Sequence, residues 1–382
     1  MIVGRVRTPG VLGALALLGA VLVGCTSGGG ADGTASGTPG SAPGSISGSA
    51  SSGAEPVLTE ALARQVFEKY VRENAAADVK GDLEATARIE GGRLLEESRA
   101  EARLRAAKGD KDTPVRYVRP VFLVPAAGSG AGAGDSAPQG FAVLSKRQGQ
   151  ESDRSSVLHY FVRGGDGEGW RAVVATWVVT ELPAGAPGTS APAPEPSPEK
   201  GVLALRPKVL PSPARGASGR AELSPTGAAD AAVCGKYAEF LSFTVPGGKS
   251  DSPYFVRGEF TSKVVGFFNG WHEKQLVRDF TYRPVGQALP VFRLDNGGSL
   301  VTCTLEGTFH DRGRTPADWI STNEGSDTEV LLGRAGRKWS TIEEVWSVTA
   351  VVEVPKGGGP STVLSSNAYK ATKMSVKGVE LK

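Results

Sequence analysis

Histidine is scarce in this sequence: His159, His272 and His310 are the only three in 382 residues, and long segments separate them. A metal centre would have to gather ligands from far apart, and no His-Glu-x-x-His or Cys-x-x-Cys spacing offers a local route to one. The histidines therefore read as surface or turn residues, His310 on the polar side of a strand beside Asp311. Also missing are a Gly-x4-Gly-Lys-Ser/Thr loop to cradle phosphates, a Gly-x-Ser-x-Gly elbow to raise a serine nucleophile, and a clean Gly-x-Gly-x-x-Gly before a helix. No metal, cofactor or catalytic residue is assigned on these grounds, and the chain is not expected to be an enzyme. An excess of charge is absent too. Lys+Arg number 43 against Asp+Glu 40, and a leader carrying Arg5 and Arg7 away leaves 41 against 40. Such a balance is no electrostatic footprint for nucleic acid.

What is there begins with an address. Arg5 and Arg7 precede the uncharged run 11–23, rich in Leu, Ala, Val and Gly and too short to cross a bilayer stably as a mature helix. It reads as the apolar region of a signal peptide, residues 1–24. The run ends Leu22-Val23-Gly24-Cys25, which resembles the lipobox of bacterial lipoproteins. That resemblance implies that Cys25 becomes the first mature residue and carries lipid (diacylglycerol and palmitate), with the membrane as partner and the extracytoplasmic face as location. The alternative is an ordinary secretory signal with an accidental cysteine. Residues 25–55 follow as a tether: 26–54 are Gly, Ser, Thr, Ala and Pro with one charge, Asp32, and one bulky apolar residue, Ile46. That composition cannot offset the entropy of ordering, and such a coil spans roughly 30 Å.

Residues 56–382 are too many for one ordinary core and comfortable for two. The Pro-rich stretch 183–225 places a linker between a first domain, 56–182, and a second, 226–382. An internal repeat supports the division. Trp170, Trp177 and Thr180 superpose on Trp339, Trp346 and Thr349 at one offset, and Val66, Lys69 and Tyr70 match Val233, Lys236 and Tyr237 at nearly the same one. Tyr117-x-Arg119-Pro120 loosely parallels Tyr282-Arg283-Pro284. Two unrelated domains with coincidental aromatics are the alternative.

Within the first domain, Thr59 caps a helix whose Leu62, Val66, Phe67, Tyr70 and Val71 keep helical spacing, ending at Gly81. A second helical stretch, 82–107, breaks at Gly91-Gly92. Strands are expected at 115–124, 140–146, 156–163 and 170–180, where β-branched and aromatic runs alternate with turn residues. The second domain repeats the plan, with helices at 228–241 and 260–268 and strands near 279–284, 300–310, 329–333 and 338–354. Helices first and an antiparallel meander after is α+β. This order resembles the nuclear transport factor 2-like, or cystatin-like, cone, in which N-terminal helices pack on a curved antiparallel sheet. The lipobox, the tether, the segment Phe67-Glu68-Lys69-Tyr70-Val71 and Leu203-Ala204-Leu205 together resemble an uncharacterised family of actinomycete lipoproteins, which implies no activity.

With Cys25 lipidated, Cys234 and Cys303 remain in an oxidising compartment. Period-two reading puts Cys303 on the face of Val301, Leu305 and Phe309, while Cys234 takes the helix position equivalent to Phe67, so both sulfurs face the second core. They form either a disulfide or two buried thiols. The residues most open to a binding role are Trp170, Trp177, Trp339 and Trp346 on the last strand of each half, with Trp271, Trp319, Phe267 and Phe268 pointing to the second half as the site by aromatic content. Each tryptophan pair is seven apart, an odd number, so its members point to opposite faces, one into a core and one outward or toward a partner. Glu343 and Glu344 lie between the second pair, and Glu343 sharing a face with Trp339 would be a base of raised pKa if that face were desolvated. Three roles follow: a lipid-anchored binding or structural module contacting an envelope protein, a carrier of a small apolar ligand, and a cone-type isomerase or hydrolase, in that order.

Overall fold

A computed structural model describes residues 58–110, 113–126, 140–151, 153–163, 169–180 and 208–381. The expected signal peptide, the expected lipid site Cys25, the expected tether and Leu203-Ala204-Leu205 lie outside the described residues.

Helix α1 spans Glu60–Lys80, opened by Thr59, whose side chain accepts from the Leu62 amide at 3.1 Å, and closed by Gly81 in the left-handed region at φ 61°. Its Ala63, Phe67, Tyr70, Asn74 and Ala77 form one buried stripe. Asp82 caps α2, Leu83–Ile89, and α3 follows at Gly92–Lys108. The break between them is made by Gly91 and Gly92. The Gly91 amide donates to Ala172 O, a Cβ there would sit 3.2 Å from Arg171, and Gly92 takes φ 54°. Strands β1 (Tyr117–Leu123), β2 (Gly140–Arg147), β3 (Ser155–Arg163) and β4 (Trp170–Val179) then form an antiparallel meander in chain order.

The second half opens with the short α4 (Gly227–Asp230) and α5 (Val233–Leu241), then β5 (Phe243–Thr244). A wider π-helical turn, Glu259–Lys263, runs into α6, Val264–Asn269. Its sheet is built on β6 (Leu276–Pro284), β8 (Ser299–Gly313) and β10 (Lys338–Val354), with the short β7 (Phe292–Arg293) and β9 (Ile320–Ser321) paired at its margins. One edge of β10 is taken by β11 (Thr362–Ser366) and then by β12 (Thr372–Glu380). Asn367 fills the break, exchanging hydrogen bonds with the Thr349 backbone. The protein is thus mixed α+β, helices preceding a curved antiparallel sheet in each half.

Two expectations are corrected. Residues 329–333 are no strand: 329–332 belong to helix α7, Asp327–Leu332, because Ser326 caps the Glu329 amide, Glu329 reaches back to the Gly325 amide, and Gly333 closes the turn at φ 65°. His159 is no surface residue. It is fully buried among Phe67, Tyr70, Tyr117 and Phe161, and burial pushes its pKa down to about 3.

The burial of β3 on both faces explains His159. Phe141, Val143, Phe161 and Ala172 face α1, whereas Leu158, Tyr160 and Val162 share a cluster with Leu300, Val351 and Leu364 of the second sheet. The two sheets therefore pack against each other, with Tyr160 Oη and Thr302 Oγ1 3.1 Å apart across the seam. Val301, Cys303, Leu305 and Phe309 project from the other side of β8 into a core with Tyr237, Leu241 and Phe260. Of the Pro-rich stretch 183–225, residues 208–225 are described. Leu210, Ala214 and Ala221 are buried there, and Pro213 and Leu223 bridge Leu294 and Phe292. Pro56–Lys382 forms one compact unit.

Candidate functional site

Alternation on three neighbouring strands builds a cleft. Leu276, Arg278 and Phe280 on β6, Phe309 and Asp311 on β8, and Ile342, Glu344 and Trp346 on β10 project to one side of the sheet. Register aligns them: Arg278 faces Asp311, which faces Ile342, and Phe280 faces Phe309, which faces Glu344. Near Val301 and Cys303 this side is covered by helices, and a disulfide joins Cys234 of α5 to Cys303. Beyond Phe309 that cover ends, leaving a cavity of about 830 Å³, closed laterally by Trp271, by the loop carrying Asp318 and Trp319, by Thr328 of α7 and by Lys373 of β12.

Its floor is aromatic and its rim is charged. Phe309 lies tilted against Phe280 and Trp346, each at 4.5 Å between centroids. Arg278 grips Asp311 with two bonds of 2.7 and 2.8 Å and donates to Trp271 O at 2.8 Å. Burial works against the Arg278 charge, but Asp311 and further acidic neighbours outweigh it and hold the guanidinium above its ordinary pKa. Across the cleft Glu344 accepts from Lys373 at 2.8 Å, from Trp346 Nε1 at 2.8 Å and from Thr328. Three tryptophans each carry a cation over one face: Arg278 on Trp271, Lys373 on Trp346 and Lys338 on Trp319, the last at 4.1 Å.

The structure brings together Trp271, Trp319 and Trp346 of the sequence candidates, and separates the others. Trp170 packs on Phe141 beneath α1, and Trp177 crosses the seam to lie 5.5 Å from Phe260. Trp339 is buried with Ile320, Ile342 and Leu276. Glu343 pairs in register with His310 and Lys377 and is not among the cleft residues; its neighbour Glu344 is. Missing from the sequence candidates were Arg278, Asp311 and Lys373. A signal for two strands and more was present: Arg278-x-Phe280, Phe309-x-Asp311 and Glu344-x-Trp346 each place a charge and an aromatic ring two apart, on one face.

A second hollow of about 510 Å³ lies between α1 and β1, where Arg64, Arg72 and Arg116 surround Phe67, Val71 and Tyr117. The first half also holds a buried carboxylate. Glu90 accepts from Ser98 at 2.6 Å and Tyr70 at 3.4 Å, and burial, resisted by those bonds, pushes its pKa up to about 7. It lines neither hollow. Among the described residues no three His, Cys, Asp or Glu side chains converge as metal ligands, and no helix is long and apolar enough to cross a membrane.

Residues 54–213 match a domain of unknown function, DUF8094. No curated protein and no solved structure matches the chain. The DUF8094 match takes in the whole first meander and runs on through Leu210 to Pro213, the segment that packs against the second sheet. The larger cleft, between Trp271 and Lys373, falls outside it.

Proposed function

We propose that the protein is a non-catalytic binding module, held on the extracytoplasmic face of the membrane by lipid on Cys25, whose second half offers the larger cleft to a component of the cell envelope. The observation that carries this reading is the cleft's construction: an aromatic floor beneath two ion pairs that are already made, Arg278 with Asp311 and Lys373 with Glu344. Side chains fixed by each other present a ready surface for recognition. The same ion pairs speak against catalysis there, since Asp311 and Glu344 are each already partnered by a cation. They also speak against a carrier of apolar molecules, because a purely apolar ligand would strip water from four charges without replacing it. The cone-type isomerase has its best support in Glu90 with Tyr70, but that pair opens on neither hollow. The order of helices and strands in each half supports kinship with the nuclear transport factor 2-like cone.

Two experiments test the proposal. Metabolic labelling with a palmitate analogue should mark the protein, and Cys25→Ser should release it from the membrane; an unmarked protein whose variant stays membrane-bound would sink the anchor. A photo-crosslinking side chain at Ala317, exposed on the cleft wall, should capture an envelope component on intact cells. Equal capture from Val79, exposed on α1, would remove the cleft from the reading.

A further inference from the structure

Resting on the reading of the cleft as the ligand-facing surface, we infer that it takes a neutral oligosaccharide, with a sugar ring laid on Trp319 and hydroxyl groups bonded by Asp311, Glu344, Arg278 and Lys373. Size comes first. A cavity of about 830 Å³ is in the range of sites for discrete small ligands, about 300–1,000 Å³, which suits a short saccharide segment.

Charge then narrows the chemistry. The lining holds four carboxylates, Glu273, Asp311, Asp318 and Glu344, against two cations, Arg278 and Lys373. A phosphate or polyanion would meet repulsion that two already paired cations do not cancel. A cationic ligand would be repelled by Arg278, Lys373 and Lys338, each of which already lies over one face of Trp271, Trp346 or Trp319. An apolar ligand would desolvate both ion pairs. A neutral polyol suffers none of these penalties.

The remaining hydrogen-bonding capacity fits hydroxyl groups. Each Asp311 oxygen accepts one bond from Arg278, and a carboxylate has about four acceptor sites. Glu344 Oε2 accepts from Trp346 alone among the described bonds, and Lys373 donates to Glu344 and Thr328, leaving one of its three ammonium hydrogens. Gln275, Asn323 and Ser326 add amide and hydroxyl groups around the same space. Because a hydroxyl both donates and accepts, adjacent sugar hydroxyls can bond a carboxylate and a cation of one pair without breaking it. Trp319 supplies the platform. At 41 % exposure it is the most open tryptophan of the cleft, whereas Trp346 is only partly exposed and has both Phe309 and Lys373 against its ring. Lys338 lies over one face of this indole, and the apolar face of a pyranose ring would be laid on the other.

The test uses the full-length lipidated protein in detergent micelles, titrated by calorimetry with neutral hexasaccharides of glucose, N-acetylglucosamine, mannose, galactose and arabinose, and with hexagalacturonate as the acidic control. Saturable binding of at least one neutral hexasaccharide is expected, with hexagalacturonate weaker. Trp319→Ala should weaken that binding by roughly tenfold and Trp319→Phe by less, with unchanged far-ultraviolet circular dichroism. Asp311→Asn, which keeps the shape and removes the ion pair, should also weaken it. No neutral hexasaccharide binding at millimolar concentration, preference for hexagalacturonate, or binding indifferent to Trp319→Ala would each overturn the inference. If sugars fail while crosslinking from Ala317 still captures an envelope protein, the saccharide inference falls and the binding module stands; if Ala317 captures nothing specific, the broader reading falls on its own.

Discussion

Gly378 of β12 lies directly under the indole of Trp339, and a Cβ at that position would come within 2.5 Å of Cε3. Trp339 is itself buried, so the ring has little room to retreat. Gly378→Ala should therefore lower stability by about 1–3 kcal/mol, the usual penalty of overpacking, seen as an earlier midpoint in urea unfolding. A second residue-scale effect concerns pH. Glu90 and Glu97, both pushed up to about 7 chiefly by burial, bind a proton in the folded protein between pH 4.5 and 7, where the unfolded chain has released it. Their contribution to stability is complete below about pH 4.5 and is lost as pH rises to 7. His159 acts in the opposite sense, taking up its proton only on unfolding between pH 6.5 and about 3, so its contribution is lost as pH falls through that window. Glu90→Gln, which keeps an acceptor for Tyr70, should flatten the decline between pH 4.5 and 7; an unaltered slope in unfolding measured across that range would contradict the assignment. Neither effect was legible in the sequence, where Glu90 is one acidic residue before two glycines and Gly378 one glycine in a polar strand.

Helix α3 shows how an element read correctly can have its role decided elsewhere. Its start after Gly91 and its length follow from local signals, but its partners are in the other half: Arg93 donates to Ser347 Oγ at 2.9 Å and pairs with Glu306 at 3.3 Å, Glu97 accepts from Ser347, and Lys108 pairs with Asp327. The Arg93 side chain is only 10 % exposed. Arg93→Ala should accordingly cost about 2–4 kcal/mol by leaving partly buried acceptors unmatched, and should raise hydrogen exchange in α3 before it does so in α1. The α5 to β8 tie is of another kind. Cys234 and Cys303, 69 residues apart, restrict the unfolded chain, so replacing both by Ser should remove about 4 kcal/mol, read as a lower urea midpoint. Element type was legible wherever caps and periodicity agreed, as in α1 with Thr59 and Gly81. It failed at α7, because a six-residue segment rich in Val and Leu shows no period long enough to outweigh its strand-like composition, and only the capping of Ser326 by position tips it to helix.

At the scale of the molecule, the two sheets share one buried seam. Leu300, Val351 and Leu364 of the second sheet are covered by Leu158, Tyr160 and Val162 of the first, and Ser365 Oγ donates to Trp177 O. Residues 208–382 made alone would expose that face; such a fragment is expected to bind a hydrophobic dye and to elute from a sizing column as aggregates, and a monodisperse, dye-negative fragment would show that the seam is dispensable. The repeat reads differently at this scale. Tyr70 on α1 and Tyr237 on α5 are both buried, but Trp177 crosses the seam to the second core while Trp346 lines the cleft, so this pair, matched by spacing, is not matched by surroundings.

By itself the amino-acid order determined what depends on neighbours along the chain: helix caps, the alternation that puts Cys303 with Leu305 and Phe309, and the α+β order in each half. Only the tertiary structure decided which strand faces are covered twice, why His159 is dry, which of Glu343 and Glu344 meets the cleft, and that three charge-and-aromatic pairs from distant segments line one wall. Local signals act within a turn or a strand, whereas these outcomes depend on register and on one sheet lying against another, which no window of sequence contains.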